Sequence, residues 1–297
     1  MSLSIRVPAG LAVLAIAGAV ATTAAHAQTE RSIYASVLDK AGAPVQALTA
    51  DDFTVREDGV EREVLRAVRA DEPLQIAVLV DTSQAAGRSM SDVRKALKGF
   101  VQEMSGRHEL ALVGFGERPT VLTEYTRDPE RLEAGIGRLF ARRGSGAYAL
   151  DAIVEASRGL RTRDGARRVI VLITTEGPEF SNRYHEQVLD ELRPSATLHS
   201  FVLTRRGPSA LDDARRQREL TLAEGSVTTG GRREHLLSSM ALADRLHDLA
   251  VELEHQYRVD YSRPAALIPP EEIDVDVKRA GLTVRAPRVP RTARTGS

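Results

Sequence analysis

The run Leu74-Gln-Ile-Ala-Val-Leu-Val-Asp-Thr-Ser83 constrains this chain more than any other. A near-continuous apolar stretch of this length reads as a parallel strand covered on both faces. It ends in Asp81, followed by the hydroxyls of Thr82 and Ser83. Open α/β sheets bind ligands beyond the carboxyl ends of their strands. One run therefore predicts both a core strand and the place of a site.

Strand and helix patterns alternate from this point on. Further strands are predicted at 109–115, 119–124, 168–174, 197–204 and 226–229. Val93, Leu97, Val101 and Met104 recur at helical spacing, as do Leu242, Leu246, Leu249, Leu253 and Tyr257. Asp128-Pro129 starts another helix, with proline at a tolerated first-turn position. Helices are also expected at 149–159, 183–193 and 210–223. The expected fold class is α/β, a doubly wound, mostly parallel sheet with helices on both faces.

The flanks read differently. Ile33, Ala35 and Val37 alternate with more polar neighbours, and Phe53 and Val55 resume the period. Beyond the α/β region, Tyr257, Val259 and Tyr261, then Ile273, Val275 and Val277, alternate in the same way. A segment of about 40 residues is too small to fold well alone. Segment 28–72 is therefore expected to pair with 257–286 in one small β module, with the α/β domain, 73–256, inserted between them. The Pro/Arg/Thr-rich residues 287–297 read as a disordered tail.

Residues 1–27 do not read as fold. Arg6, the apolar stretch Leu11–Val20 and Ala25-His-Ala27 have the layout of a secretory signal peptide cut before Gln28. No later segment is apolar for long enough to span a bilayer. The expected product is exported, periplasmic or secreted. It has no cysteine, so a packed core must replace disulfides. With 41 basic and 41 acidic side chains, no electrostatic case for nucleic acid arises. The arginine pairs 142–143, 167–168, 205–206 and 232–233 read first as solvated surface. Several lie near strand ends, where they would line an anionic partner surface.

The chain resembles von Willebrand factor A domain proteins, in particular exported bacterial ones with a preceding β segment. The resemblance rests on Leu48-Thr-Ala-Asp-Asp-Phe-Thr-Val-Arg-Glu-Asp-Gly59, the strand and Asp81, Val113-Gly-Phe-Gly116, Tyr148-Ala-Leu-Asp-Ala-Ile153, Val169-Ile-Val-Leu-Ile-Thr174 and Gln256-Tyr-Arg-Val-Asp-Tyr261. It implies a Rossmann-like fold and, in many members, a metal-ion-dependent adhesion site. That site uses Asp-x-Ser-x-Ser, a later Thr and a later Asp to hold Mg²⁺ through oxygen ligands. Here Asp81 and Ser83 match, but Ala85, Ala147 and Thr175 stand at the other three positions. The expectation is a vestigial site with no metal and no cofactor. Asp81 and Ser83 then keep a capping or loop-organising role.

Other chemistry is weaker still. Gly144-Ser-Gly-Ala-Tyr-Ala149 has dinucleotide-like glycine spacing but does not directly follow a strand. His185-Glu186 lacks a second zinc-binding histidine, and Gly87-Arg-Ser-Met-Ser91 lacks the second glycine of a nucleophile elbow. The leading expectation is a non-enzymatic module that binds a protein partner through loops at strand ends. Gln84, Arg88, Tyr148, Glu176, Glu179 and Phe180 are its candidate contacts. Two alternatives stand beside it. One is a Mg²⁺- or Mn²⁺-dependent adhesion module with a rearranged site using Asp81, Ser83 and Glu176, helped by Ser145. The other is an α/β enzyme built on Asp81, Glu176 and Asp151.

Overall fold

The structure is a computed structural model describing residues 28–204, 212–265 and 267–288. The expected signal peptide, 1–27, lies outside the described residues. Three strands of the α/β region are buried along their whole length: β5 (Leu74–Val80), β8 (Arg167–Thr175) and β9 (Thr197–Leu203). The other strands of this sheet are β6 (Glu109–Gly114), β7 (Thr120–Thr126) and β10 (Arg233–Leu236). Their spatial order is β10-β9-β8-β5-β6-β7, parallel except for β7, which runs antiparallel to β6.

Period-2 alternation divides each central strand between two cores. Ile76, Val78 and Val80 face one core with α1 (Met90–Met104), α2 (Pro129–Gly137) and α6 (Leu242–Glu254). Ala77 and Leu79 face the other with α3 (Ala149–Arg161), α4 (His185–Leu192) and α5 (Asp213–Thr228). The doubly wound α/β sheet is thus as the patterning implies. Asp128 caps α2 by accepting from the amides of Glu130 and Arg131, with Pro129 in the first turn.

Two local expectations are corrected. Residues 226–228 are the end of α5, not a strand, and the strand lies further on at Arg233–Leu236. The reason is packing. A Cβ on Gly225 would come within 2.9 Å of Leu192, so the glycine lets α5 lie close against α4. The hydroxyls of Thr228 and Thr229 donate back to the carbonyls of Glu224 and Gly225, fitting strand-type residues into a helix terminus. Likewise α6 stops at Glu254, so of the two patterns that include Tyr257 the β alternation holds and the helical face does not.

The flanking strands are β1 (Gln28–Leu38), β2 (Phe53–Glu57), β3 (Val60–Arg62), β4 (Val64–Arg69), β11 (Tyr257–Pro264), β12 (Ile273–Val277) and β13 (Thr283–Arg285). They form two sheets, β13-β1-β11-β4 and β12-β2-β3. β1 pairs antiparallel with β11, placing Ile33 opposite Val259. The alternating residues Ile33, Ala35, Val37, Phe53, Val55, Val259, Tyr261, Ile273 and Val275 fill one core between the sheets. Of the expected tail, Pro287 and Arg288 belong to the folded part. The Arg288 amide donates to the Thr228 carbonyl (2.9 Å), and its carbonyl accepts from Ile273 (2.7 Å). Residues 289–297 lie outside the described residues.

The α/β domain enters and leaves the β module at one place, where the Ala70 amide donates to the Gln256 carbonyl (2.8 Å). Arg167, at the start of β8 and 2% exposed, is buried behind this point. Its guanidinium donates to the carbonyls of Ala70, Glu72 and Leu253 and to Gln256 Oε1 (3.0 Å). Burial lowers its pKa to about 10. Beside it, buried His108 accepts the Leu74 amide on Nδ1 (3.1 Å) and meets Glu254 through Nε2 (2.5 Å).

Candidate functional site

The upper rim, at the carboxyl ends of β5, β6 and β8, holds the residues singled out by sequence. Asp81 is 2% exposed, and its carboxylate is engaged by its own chain. Oδ1 accepts from the Ser83 amide (2.8 Å). Oδ2 accepts from the Thr175 amide (3.0 Å) and the Thr175 hydroxyl (2.8 Å), with the Thr174 hydroxyl at 3.4 Å. The Ser83 contact is an Asx-type turn that organises the start of the loop. Thr175 thus sits directly on the remaining carboxylate.

The neighbouring loops close on one another by similar means. The Gln84 side chain accepts from the Gly144 amide (2.6 Å), and the Gln84 amide donates to the Ser145 carbonyl (3.3 Å). The Thr82 carbonyl accepts from Arg142, and its hydroxyl accepts from the Gly116 amide (2.8 Å). A Cβ on Gly116 would come within 2.3 Å of the Thr82 carbonyl oxygen, so this approach requires glycine. Ala147 donates to Pro178 and accepts from Phe180, a one-rung bridge between the 144–148 and 178–180 loops. A Cβ on Gly177 would lie 2.4 Å from the Ala85 side chain, so the third loop packs directly over Ala85.

These residues do not fit the group that the resemblance implies. Mg²⁺ demands near-octahedral oxygen coordination at about 2.0–2.1 Å. Asp81 is the one carboxylate at the five motif positions. Ala85 and Ala147 carry no side-chain oxygen, and Thr175 offers a neutral hydroxyl already directed at Asp81. Ser83 Oγ is the exception, being buried without a hydrogen-bond partner.

The six predicted contact residues separate into two groups. Arg88 and Phe180 are exposed, Phe180 at 52%. Tyr148 is half-buried and meets the Phe180 ring edge-on, with centroids 6.1 Å apart. The Phe180 ring rests on Gly146, where a Cβ would come within 2.7 Å. Gln84 is exposed, but its amide group is turned inward on Gly144. Glu176 is half-buried, and its carbonyl accepts from Arg215 (3.0 Å).

Glu179 is not a rim contact. It is 3% exposed and lies beneath the loop, where it accepts from the Ala149 amide (3.1 Å) at the start of α3 and from the Ser181 amide (3.2 Å). Buried Arg218 stands 3.6 Å away and also donates to the Gly177 carbonyl (3.2 Å). Desolvation pushes the Glu179 carboxyl up to about 7, against the lowering pull of Ser181 and Arg218. Sequence pattern concealed this role because Arg218 is 39 residues away on a different element. The one sequence signal was an arginine within the helix expected at 210–223.

A concavity of about 740 Å³ opens at the amino ends of the central strands, opposite the rim. Part of its polar lining is already engaged: Arg163 pairs with Glu109 (2.7 Å), and Gln75 donates to the Asp164 carbonyl (2.8 Å). Volume alone therefore gives it less weight than the rim.

Residues 76–177 match the sequence model of the von Willebrand factor type A domain, and the α/β part of the chain has the fold of such domains. No curated protein matches the chain. A von Willebrand factor type A structure from Catenulispora acidiphila is 14% identical at a TM-score of 0.52, covering 84% of this chain and 76% of that one. Proximal thread matrix protein 1 from the mussel byssus, solved with a zinc-occupied MIDAS motif, is 14% identical at 0.50, covering 67% and 49%. The pilus adhesin SpaC from Lactobacillus rhamnosus GG, in an open conformation, is 12% identical at 0.48, covering 86% and 49%.

Proposed function

We propose that the chain is an exported, non-enzymatic protein-binding module whose A domain receives a partner on its upper rim without a metal. The observation that carries this reading is the occupation of Asp81 by Ser83 and Thr175. Donors from the chain satisfy the carboxylate, so the centre of the rim is a structural joint. Recognition then falls to what the joint holds outward: Phe180, Tyr148 and Arg88, on loops stiffened by the hydrogen bonds around them. Aromatic and arginine side chains are frequent interface anchors. Among the described residues no nucleophile stands with a base on this rim, which supports binding over catalysis. An exported location rests on the signal-like residues 1–27. Among the described residues no helix is long and apolar enough to cross a membrane.

The unpartnered Ser83 hydroxyl favours one second reading, a rearranged Mg²⁺ or Mn²⁺ site with Asp81 and Glu176. A thermal melt with each ion against EDTA decides between them, because a ligand of the native state raises the melting point. The metal-free reading expects coincident curves. A rise abolished by Asp81→Ala overturns it. Capture of exported proteins on the immobilised chain tests the rim itself, and Tyr148→Ala/Phe180→Ala should abolish specific capture.

A further inference from the structure

Next to the vestigial site, between the end of β6 and the start of β7, lies a cleft of about 50 Å³. Thr82 forms its boundary with the site, and Arg118, Arg138, Arg142 and Phe140 line the rest. Three arginines line the cleft with a single carboxylate, that of Glu117, which pairs directly with Arg142 (3.0 Å) at the exposed surface. Arg118 is exposed and has no ion pair among the described residues. Arg138 donates to the Leu122 carbonyl in the cleft wall. The Phe140 ring is 57% exposed, with the Arg142 guanidinium 5.7 Å from its centroid. Val121, 52% exposed, follows Thr120 of the cleft wall on the outermost strand of the sheet. The rim thus carries a local excess of positive charge beside exposed apolar surface, in a chain whose overall charge is zero.

We infer that this cleft binds carboxylate side chains of an acidic peptide segment on a partner protein, with Arg118 and Arg142 as the cationic receptors and Phe140 as an apolar contact. The inference rests on the reading that the rim receives a protein, and it names the chemistry of that protein. Guanidinium groups match the planar geometry of carboxylates and engage them through paired hydrogen bonds. Stacked on an aromatic ring, a guanidinium also holds its orientation. Here the arginines supply positive charge beside Asp81, the one motif carboxylate, which is engaged by its own chain. The charge is local, enough for one or two carboxylates, and the balanced chain offers no extended field for a polyanion.

The test is fluorescence anisotropy of the folded chain with a capped, labelled peptide of alternating aspartate and tyrosine, against its asparagine counterpart and a thymidine oligonucleotide. The expected result is saturable binding of the acidic peptide, weakened by salt and about tenfold tighter than the asparagine form. Arg118→Glu/Arg142→Glu should remove that preference, and Phe140→Ala should weaken binding several-fold. Arg245→Glu, on the exposed face of α6, should leave it unchanged. Circular dichroism melts confirm that each variant is folded, and a misfolded double variant is replaced by Arg118→Glu alone. Absence of saturable binding, equal binding of the asparagine peptide, or tighter binding of the oligonucleotide overturns the inference. If the peptide fails while Tyr148→Ala/Phe180→Ala still abolishes partner capture, the inference falls and the protein-binding reading stands.

Discussion

The two ends of the central sheet both bury charge, and they do so in opposite ways. At the upper end a carboxyl is buried: Glu179 caps α3 with Arg218 at its side. At the lower end a cation and an imidazole are buried: Arg167 binds carbonyls of both connecting segments, and His108 joins Leu74 to Glu254. The upper group holds loops of one domain together. The lower group spans the α/β domain and the β module, with the Arg167 guanidinium also 5.8 Å from the Tyr34 ring of β1. Damage at the lower end should therefore affect the whole molecule, whereas damage at the upper end should remain local to the rim.

The sharpest way to break this contrast is Arg167→Ala. It strands the buried carbonyls of Ala70 and Leu253, the half-buried one of Glu72 and the Gln256 side chain, each buried group worth about 1–3 kcal/mol when left unpaired. We expect a loss near 4 kcal/mol in urea unfolding, with Arg167→Lys recovering only part because ammonium lacks the planar fork. A loss under 1 kcal/mol would dissolve the distinction between the two ends.

Acid and base should also separate them. The Glu179 carboxyl is raised to about 7 in the fold. The folded state then holds the proton more tightly than the unfolded chain, so this contribution is fully present below about pH 4.5 and lost as pH rises through 7. A shift of that size is worth about 3 kcal/mol. Burial moves His108 the other way, below its ordinary value, despite Glu254. Its neutral form is favoured in the fold, so its contribution is present above about pH 6.5 and lost as pH falls toward the lowered value. Stability measured from pH 4 to 8 should lose one limb in Glu179→Gln and the opposing limb in His108→Gln. Unchanged profiles would remove both groups from the account.

The smallest expected effect is at the joint itself. Thr175→Val deletes one hydroxyl donor to Asp81 but leaves the Thr175 amide in place. About 1 kcal/mol should be lost in unfolding, with partner capture through Phe180 preserved. Loss of capture at normal stability would mean that the joint takes part in recognition.

The fold was readable from residues because its signals are local. The seven-residue run into Asp81, the alternation at 33–37 and 273–277, and Asp128-Pro129 each specify an element through neighbours in sequence. Reading failed where a distant contact decided the outcome. Gly225 packs against Leu192, so β-prone Val227 and Thr228 end a helix. Glu179 belongs under the rim because Arg218 reaches it from another element. The departures from the metal motif at 85, 147 and 175 were visible in sequence, but the bond from Thr175 to Asp81 was not.

The meeting of Ala70 and Gln256 has a mechanical consequence. Both tethers of the α/β domain leave through one doorway, side by side, into adjacent strands β4 and β11 of the same sheet. A pull on a partner seated at the far rim would reach the β module along two parallel cords sharing the load. The central sheet lies between grip and anchor, so traction runs lengthwise through its parallel strands and shears them rather than peeling them open.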